Sequence, residues 1–265
     1  MGTARPGSTG LHCSLHDMQI LRVAGFSLLE VLLSVFLSTL LISGITVLLS
    51  ASVAAYRLQL TQDQLEESGR YARDVLITHI SQAGHRHTPW QDSTEFPAVT
   101  NETIEGNARP GDQLGLQRWS DKNCYGNENP VTDSSGWPSF YLLQVRFWVN
   151  ASKNLAITCR YGASESELQT QINNFGLVEN VESLQVLFAE DTDGDGIGDG
   201  WVKAQSWQRE KNLQAVKIAM LLTTQKALIR AANDQITLLD ENFNAPADGR
   251  LRRVTVFTSA IRGRL

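Results

Sequence analysis

The stretch Gly25-Phe26-Ser27-Leu28-Leu29-Glu30-Val31-Leu32-Leu33 sets a carboxylate at the edge of an apolar run, because no residue from Val31 to Tyr56 is formally charged. Such a run is ample for a helix that crosses a bilayer, which takes about 20 apolar residues. A carboxylate near the end of that helix costs on the order of 2–3 kcal/mol on insertion scales, so an acid kept there needs a partner. Residues 1–25, which precede the run, are polar to mixed and carry Arg5 and Arg22 against Asp17. They read as a targeting segment rather than as structure. In an ordinary secretory peptide the small-residue cleavage site follows the apolar region; here the small residues come first. Cleavage between Gly25 and Phe26 leaves the apolar run at the start of the mature chain and creates an amine on Phe26. The chain's own amine competes poorly for Glu30, since the free N–H groups of the helix start are closer rivals. The amine of a neighbouring subunit is the better match.

The chain has 265 residues and a formal charge of -5, which suits one soluble domain behind a single membrane span and gives no footprint for nucleic acid. Arg250, Arg252, Arg253, Arg262 and Arg264 crowd the C-terminus but alternate with apolar residues, the pattern of a strand with one solvated face. Cys13 lies ahead of the apolar run, and Cys124 and Cys159 lie beyond it. An even count on the far side of a span favours an oxidising compartment and a Cys124–Cys159 disulfide, and the separation of the two fits no zinc motif.

Beyond the span, Leu58, Leu65, Ala72, Val75, Leu76, Ile80 and Ala83 recur at helical spacing between charged residues, so the helix is expected to continue as an amphipathic one to a cap near Gly84. Gly69, worth about 1 kcal/mol less than Ala in a helix, reads as a bend. Further on, "FYLLQVRFWV", "LAITCRY", "ESLQVLFAE", "AVKIAMLLTT" and "RRVTVFTSAI" are β-branched and aromatic runs that predict an antiparallel sheet. Residues 85–138, rich in Pro, Gly, Asn and Asp, read as loop-dominated with a few short elements.

The junction "G|FSLLE" and its apolar run resemble the class III leader and N-terminal helix of type IV pilins and pseudopilins. The resemblance implies that a prepilin peptidase cuts after Gly25 and methylates Phe26, and that Glu30 meets the first residue of an adjacent subunit in assembly. "LEESGRYARDVLITHISQAGHR" and "VESLQVLFAEDTDGDGIGDGWV" are similar to stretches of PilW-type minor pilins, with Ser68 where that pattern often has Asn. The implied fold is α+β and pilin-like, a long N-terminal helix packed on an antiparallel β-sheet head. Its parts are a cleaved leader at 1–25, a transmembrane helix at 26–56, an amphipathic continuation at 57–84 and a periplasmic head at 85–265. The implied function is type IV pilus assembly at or near the tip. Implied partners are other minor pilins, the major pilin, a tip-associated adhesin and the prepilin peptidase. The implied location is the inner membrane, single-pass with a periplasmic C-terminal domain, and then the pilus at the cell surface. A GspJ-like pseudopilin of type II secretion shares the leader and a β-rich head. A membrane-anchored calcium-binding or adhesive module is the rival of a different class.

The most chemical stretch is "DTDGDGIGDGW". Asp191, Asp193, Asp195 and Asp199 take positions 1, 3, 5 and 9 of an EF-hand-type loop, Gly196 the sharp turn, and Ile197 offers a carbonyl. Position 12 is Val202 rather than a bidentate Glu, so a Ca²⁺ site here lacks a ligand; it resembles dockerin and thrombospondin-type loops more than a complete EF-hand. Asp and Gly are also what tight turns select, which leaves a plain acidic turn as the other reading. His79, His85 and His87 read as surface residues. Trp119, Tyr125, Trp137, Trp148, Trp201 and Trp207 read as core or half-buried packing rather than a binding patch. No phosphate-cradling loop or nucleophile–base arrangement stands out, so the chain is not expected to be an enzyme.

Overall fold

The computed structural model describes residues 25–86, 96–131, 136–228 and 233–263. Its one α-helix among these, α1, runs unbroken from Leu28 to Gln82. The chain divides into two compact units, Met1–Ala54 and Ala55–Leu265. In the first unit every described residue is exposed, and the helix is long and apolar enough to cross a membrane. Its hydroxyls are satisfied from within. Ser34, Ser38, Thr39, Ser43, Thr46, Ser50 and Ser52 each donate to a backbone carbonyl three or four residues earlier. Such back-bonding removes the cost of an unpaired polar group in hydrocarbon.

In the second unit α1 buries Leu65, Gly69, Ala72, Leu76 and Ile80, one stripe at steps of three and four residues. The strands form two four-stranded antiparallel sheets. The first is a meander of β1 (Leu114–Ser120), β2 (Tyr141–Val149), β3 (Leu155–Gly162) and β4 (Gln169–Val178). The second has the order β10-β7-β5-β6, with β5 at Val181–Glu190, β6 at Gly200–Val202, β7 at Leu213–Ala227 and β10 at Arg250–Ala260. A hairpin of β8 (Asp234–Leu238) and β9 (Glu241–Ala245) completes the set. The helix stripe joins Leu116 and Phe147 of the first sheet and Leu184, Phe188, Ile218 and Met220 of the second in one apolar core. The far face of β7, Ala219 and Leu221, packs under Leu238, Phe243 and Ala245 of the hairpin. Both faces of β7 are thus covered, which explains why its sequence reads as an unbroken apolar run rather than an alternation.

The five anticipated strand runs all appear. The strand β1 is one of the short elements expected within the loop-dominated stretch, though the sequence does not specify its place there; missed were β4, β6, β8 and β9. Of these, β4 reads QTQINNFGLV and is largely exposed at the sheet edge, so it carries little apolar signal. Gly84 caps the helix with φ +81°, its N–H donating to the Gln117 carbonyl at 2.8 Å. The helix continues unbroken through Gly69, which is buried where β10 approaches. The solvated face assigned to the C-terminal arginines also needs correction at Arg252. Its side chain is 7% exposed and pairs with Glu182 at 2.7 Å and Asp248 at 2.8 Å.

Cys124 and Cys159 are joined, tying the segment after β1 to β3 across 35 residues. Closing a loop of that length in the unfolded chain is worth about 3–4 kcal/mol in the chain-entropy treatment.

A Cβ added at Gly69 would lie 2.7 Å from Thr255 Oγ1 and 3.7 Å from Leu222 Cδ1. Gly69→Ala is therefore expected to lose stability despite a propensity gain of about 1 kcal/mol, because overpacking costs about 1–3 kcal/mol. In a Thr255→Ala background the same change should become stabilising by about 1 kcal/mol. Urea unfolding of the four proteins measures this coupling; strict additivity would show that Thr255 does not limit the helix approach.

Candidate functional site

Two regions hold the residues singled out by the sequence. At the N-terminal end, residues 25–27 are outside the helix, and the Val31 N–H makes the first turn's bond to the Ser27 carbonyl at 3.1 Å. Glu30 lies in that first turn, where the free N–H ends of the helix favour negative charge. Phe26 is 81% exposed. Among the described residues no side chain pairs with Glu30.

The acidic loop joins β5 to β6, held at its neck by the Asp199 N–H on the Glu190 carbonyl at 2.8 Å. One carboxylate oxygen from each of Asp191, Asp193 and Asp195 lies within 4.8 Å of the others. Backbone amides set this geometry. Asp191 accepts from the Gly194 N–H at 2.6 Å and the Gly196 N–H at 2.9 Å, Asp193 from Asp195 at 3.1 Å, and Asp195 from Ile197 at 2.7 Å. Burial works against ionisation of Asp191, yet the amides of Gly194 and Gly196 and the Gln214 side chain hold its carboxyl below the usual range. Asp199 stands apart from the trio. Its Oδ2 accepts the hydroxyl and the N–H of Thr192, which keep its pKa low as well. Val202 pairs with Phe188 in β6 and packs against the core, so position 12 is committed to the sheet. The fold thus gathers three of the four aspartates.

Sequence reasoning missed several charged groups that acquire partners only through folding. Asp112 is 2% exposed, and its carboxylate clamps the Gly106 N–H at 2.8 Å and the Val186 N–H at 2.7 Å. Burial pushes its pKa up to about 7; the two amides pull it down, and Glu105 and Asp240 add to the rise. Lys203 reaches Asp240 at 2.6 Å, Glu105 at 2.9 Å and Glu241 at 3.0 Å, and these bonds raise its pKa in that order of Asp240, Glu105 and Glu241. Glu182, 1% exposed, takes Arg252, Arg109 at 3.1 Å and Lys153 at 3.4 Å. None of these acids or bases neighbours its partners in sequence, so no local pattern flags them.

His79 is not a surface residue. Its ring packs edge-on to Phe147 with centroids 5.3 Å apart, and Arg118 Nη1 donates to its Nδ1 at 3.2 Å. Since a guanidinium only donates, Nδ1 is the acceptor and the proton of the neutral ring sits on Nε2. Burial and then Arg118 lower its pKa to about 4. His85 is exposed, and His87 falls outside the described residues. Of the six aromatics, Tyr125, Trp137 and Trp201 are exposed and the other three half-buried.

Between pH 6.5 and 4 the unfolded chain protonates His79 while the native chain does not, so this group's contribution is full above pH 6.5 and is lost as pH falls towards 4. Asp112 acts with the opposite sign, its contribution being lost as pH rises from 3.8 towards 7. His79→Gln keeps an acceptor for Arg118 and removes the titration. Relative to this variant, the wild type should lose up to about 3 kcal/mol between pH 6.5 and 4, measured by urea unfolding at several pH values. A constant difference would place the ring in solvent.

Residues 146–263 match the family model PilW, described as type IV pilus-assembly protein W. No curated protein matches the chain. Among solved structures, a type IV-like pilin from Thermus thermophilus is similar at 18% identity with a TM-score of 0.48, covering 77% of this chain and 96% of its own. The match over 146–263 takes in β3 to β10 of the head, the strands that carry the acidic loop, and agrees with the resemblance to PilW-type minor pilins read in the sequence.

Proposed function

We propose that the chain is a minor pilin that enters the type IV pilus at or near its tip after cleavage between Gly25 and Phe26. The observation that carries this reading is the PilW segment at 146–263 joined to an exposed apolar helix whose single early acid, Glu30, has no partner among the described residues. In this mechanism the helix is held in the inner membrane until assembly, with the head in the periplasm. Docking then brings the N-methylated amine of a Phe26 from one subunit against the Glu30 of another. Each docking event cancels a carboxylate that is costly in hydrocarbon, which fixes depth and register in the helical bundle. The partners are other minor pilins, the major pilin, a tip-associated adhesin and the prepilin peptidase; the chain's own work is binding rather than catalysis. Deleting the gene should abolish surface piliation and leave type II secretion intact, whereas a GspJ-like pseudopilin gives the reverse. Glu30→Ala should leave a mature mass beginning at Phe26 but cut incorporation into sheared pili severalfold. Intact-mass analysis that finds residues 1–25 still attached to the membrane protein overturns the reading.

The acidic loop supports a second property, weak Ca²⁺ binding by Asp191, Asp193 and Asp195, with Asp199 through water and the Ile197 carbonyl as further donors. The convergence of three carboxylates on preset amides is what favours it. Lacking an acid at Val202, the loop is expected to bind in the range of roughly 10⁻⁴–10⁻³ M seen for extracellular modules. Millimolar Ca²⁺ should raise the melting temperature relative to chelator by mass action, and Asp193→Ala with Asp195→Ala should abolish the rise. Identical melting curves with and without Ca²⁺ leave the loop as an acidic turn.

A further inference from the structure

A cavity of about 660 Å³ opens at the C-terminal end of α1, between the last helical turn, β1 with the turn after it, and the C-terminal Arg262–Gly263. Arg118, Lys122 and Arg262 line it, and Asp121 is the one carboxylate of its described lining. No ion pair among the described residues reaches any of the three cations. Arg118 is the informative member. It is partly buried, burial lowers its pKa, and its side-chain hydrogen bond goes to a His79 ring that is neutral at pH 7. A guanidinium carries five N–H donors in a fork shaped for a carboxylate, and one neutral nitrogen meets one of them.

Elsewhere in the head the fold does pair its guanidiniums with acids. Arg252 meets Glu182 and Asp248, Arg160 meets Glu102, and Arg109 meets Glu182. The C-terminal end of α1 also attracts cations, but it supplies only about half an elementary charge. Among the described lining residues three cations stand against one carboxylate, a positive excess larger than the helix end offsets. This local excess stands on a chain whose formal charge is -5. Trp119 and Phe140 also line the cavity.

We infer that the cavity is a docking site for a carboxylate-rich segment of another pilus component, with an Asp or Glu side chain on the Arg118 guanidinium and further acids on Lys122 and Arg262. The inference rests on the assembly role, which brings this head against other subunits. A protein segment fits better than a free anion because the cavity, at about 660 Å³, is much larger than one carboxylate and spreads three cations along its lining.

The test uses the full chain in detergent and a fluorescein-labelled hexaglutamate peptide, followed by anisotropy. Saturable binding is expected that weakens as salt rises from ~50 to ~300 mM. Arg118→Gln with Arg262→Gln should weaken it about tenfold, while Arg70→Gln, on the exposed face of α1, should leave it unchanged. Should the Arg118 variant fail to fold, Lys122→Glu with Arg262→Glu at the exposed rim carries the same expectation. Absence of saturable binding, or equal loss in Arg70→Gln, overturns the site. Tighter Arg118-dependent binding of hexagalacturonate than of hexaglutamate overturns the protein partner in favour of an acidic polysaccharide. Normal piliation in cells lacking the gene would remove the assembly role without touching the binding result, so the two failures are separable.

Discussion

The head is organised by the burial of one helical stripe, Leu65, Gly69, Ala72, Leu76 and Ile80, against residues of two sheets at once. Neither sheet could cover its apolar face alone, and a helix that showed this stripe to water would lose most of its stability, since helices in proteins are held chiefly by packing. Leu76 and Ile80 are fully buried, and truncation of such side chains typically costs about 2–5 kcal/mol. Gly69 sets how near β10 can come, because its missing side chain leaves room for Thr255. The same helix carries no buried residue in its first unit, where it is long and apolar enough to cross a membrane. Its hydroxyls bond back to its own carbonyls in both units, and in the second its apolar stripe turns to the sheets.

Around this core the buried acids act as joints. Glu182 gathers cations from the loop before β1, the β2–β3 turn and β10, while Asp112 clamps amides of its own loop and of β5. A buried ion pair often adds little net stability over an apolar replacement, yet removing one partner leaves a strongly unfavourable charge. The effect here is to fix which segments meet. The disulfide does the same for the segment after β1, which has few apolar residues of its own with which to dock.

These joints make the unpaired charges conspicuous. A fold that neutralises Arg252, Arg109 and Arg160 leaves Glu30 and the Arg118, Lys122 and Arg262 group without an ion pair among the described residues. Charges held uncompensated in this way are suited to recognition, because an incoming partner supplies the missing counter-charge and a wrong partner repels. Charge completion of this kind suits the assembly role proposed above.

The amino-acid sequence by itself determined the elements whose signals are local. An uncharged run after Glu30, a 3.6-residue stripe ending at Gly84 and five β-branched runs are each legible without knowledge of the rest, as is the Asp spacing at 191–199. Only the tertiary structure decided what depends on distant neighbours. Gly69 looks like a bend in sequence and is a contact in space, because Thr255 is remote along the chain. His79 looks solvated and lies against Phe147, and Arg252 looks exposed and is buried with Glu182, for the same reason. The strand that escaped notice most plainly, β4, takes its pairing from β3 rather than from an apolar pattern of its own. Local propensity writes the elements, whereas pairing, burial and charge compensation are long-range quantities that exist only once the chain has closed on itself.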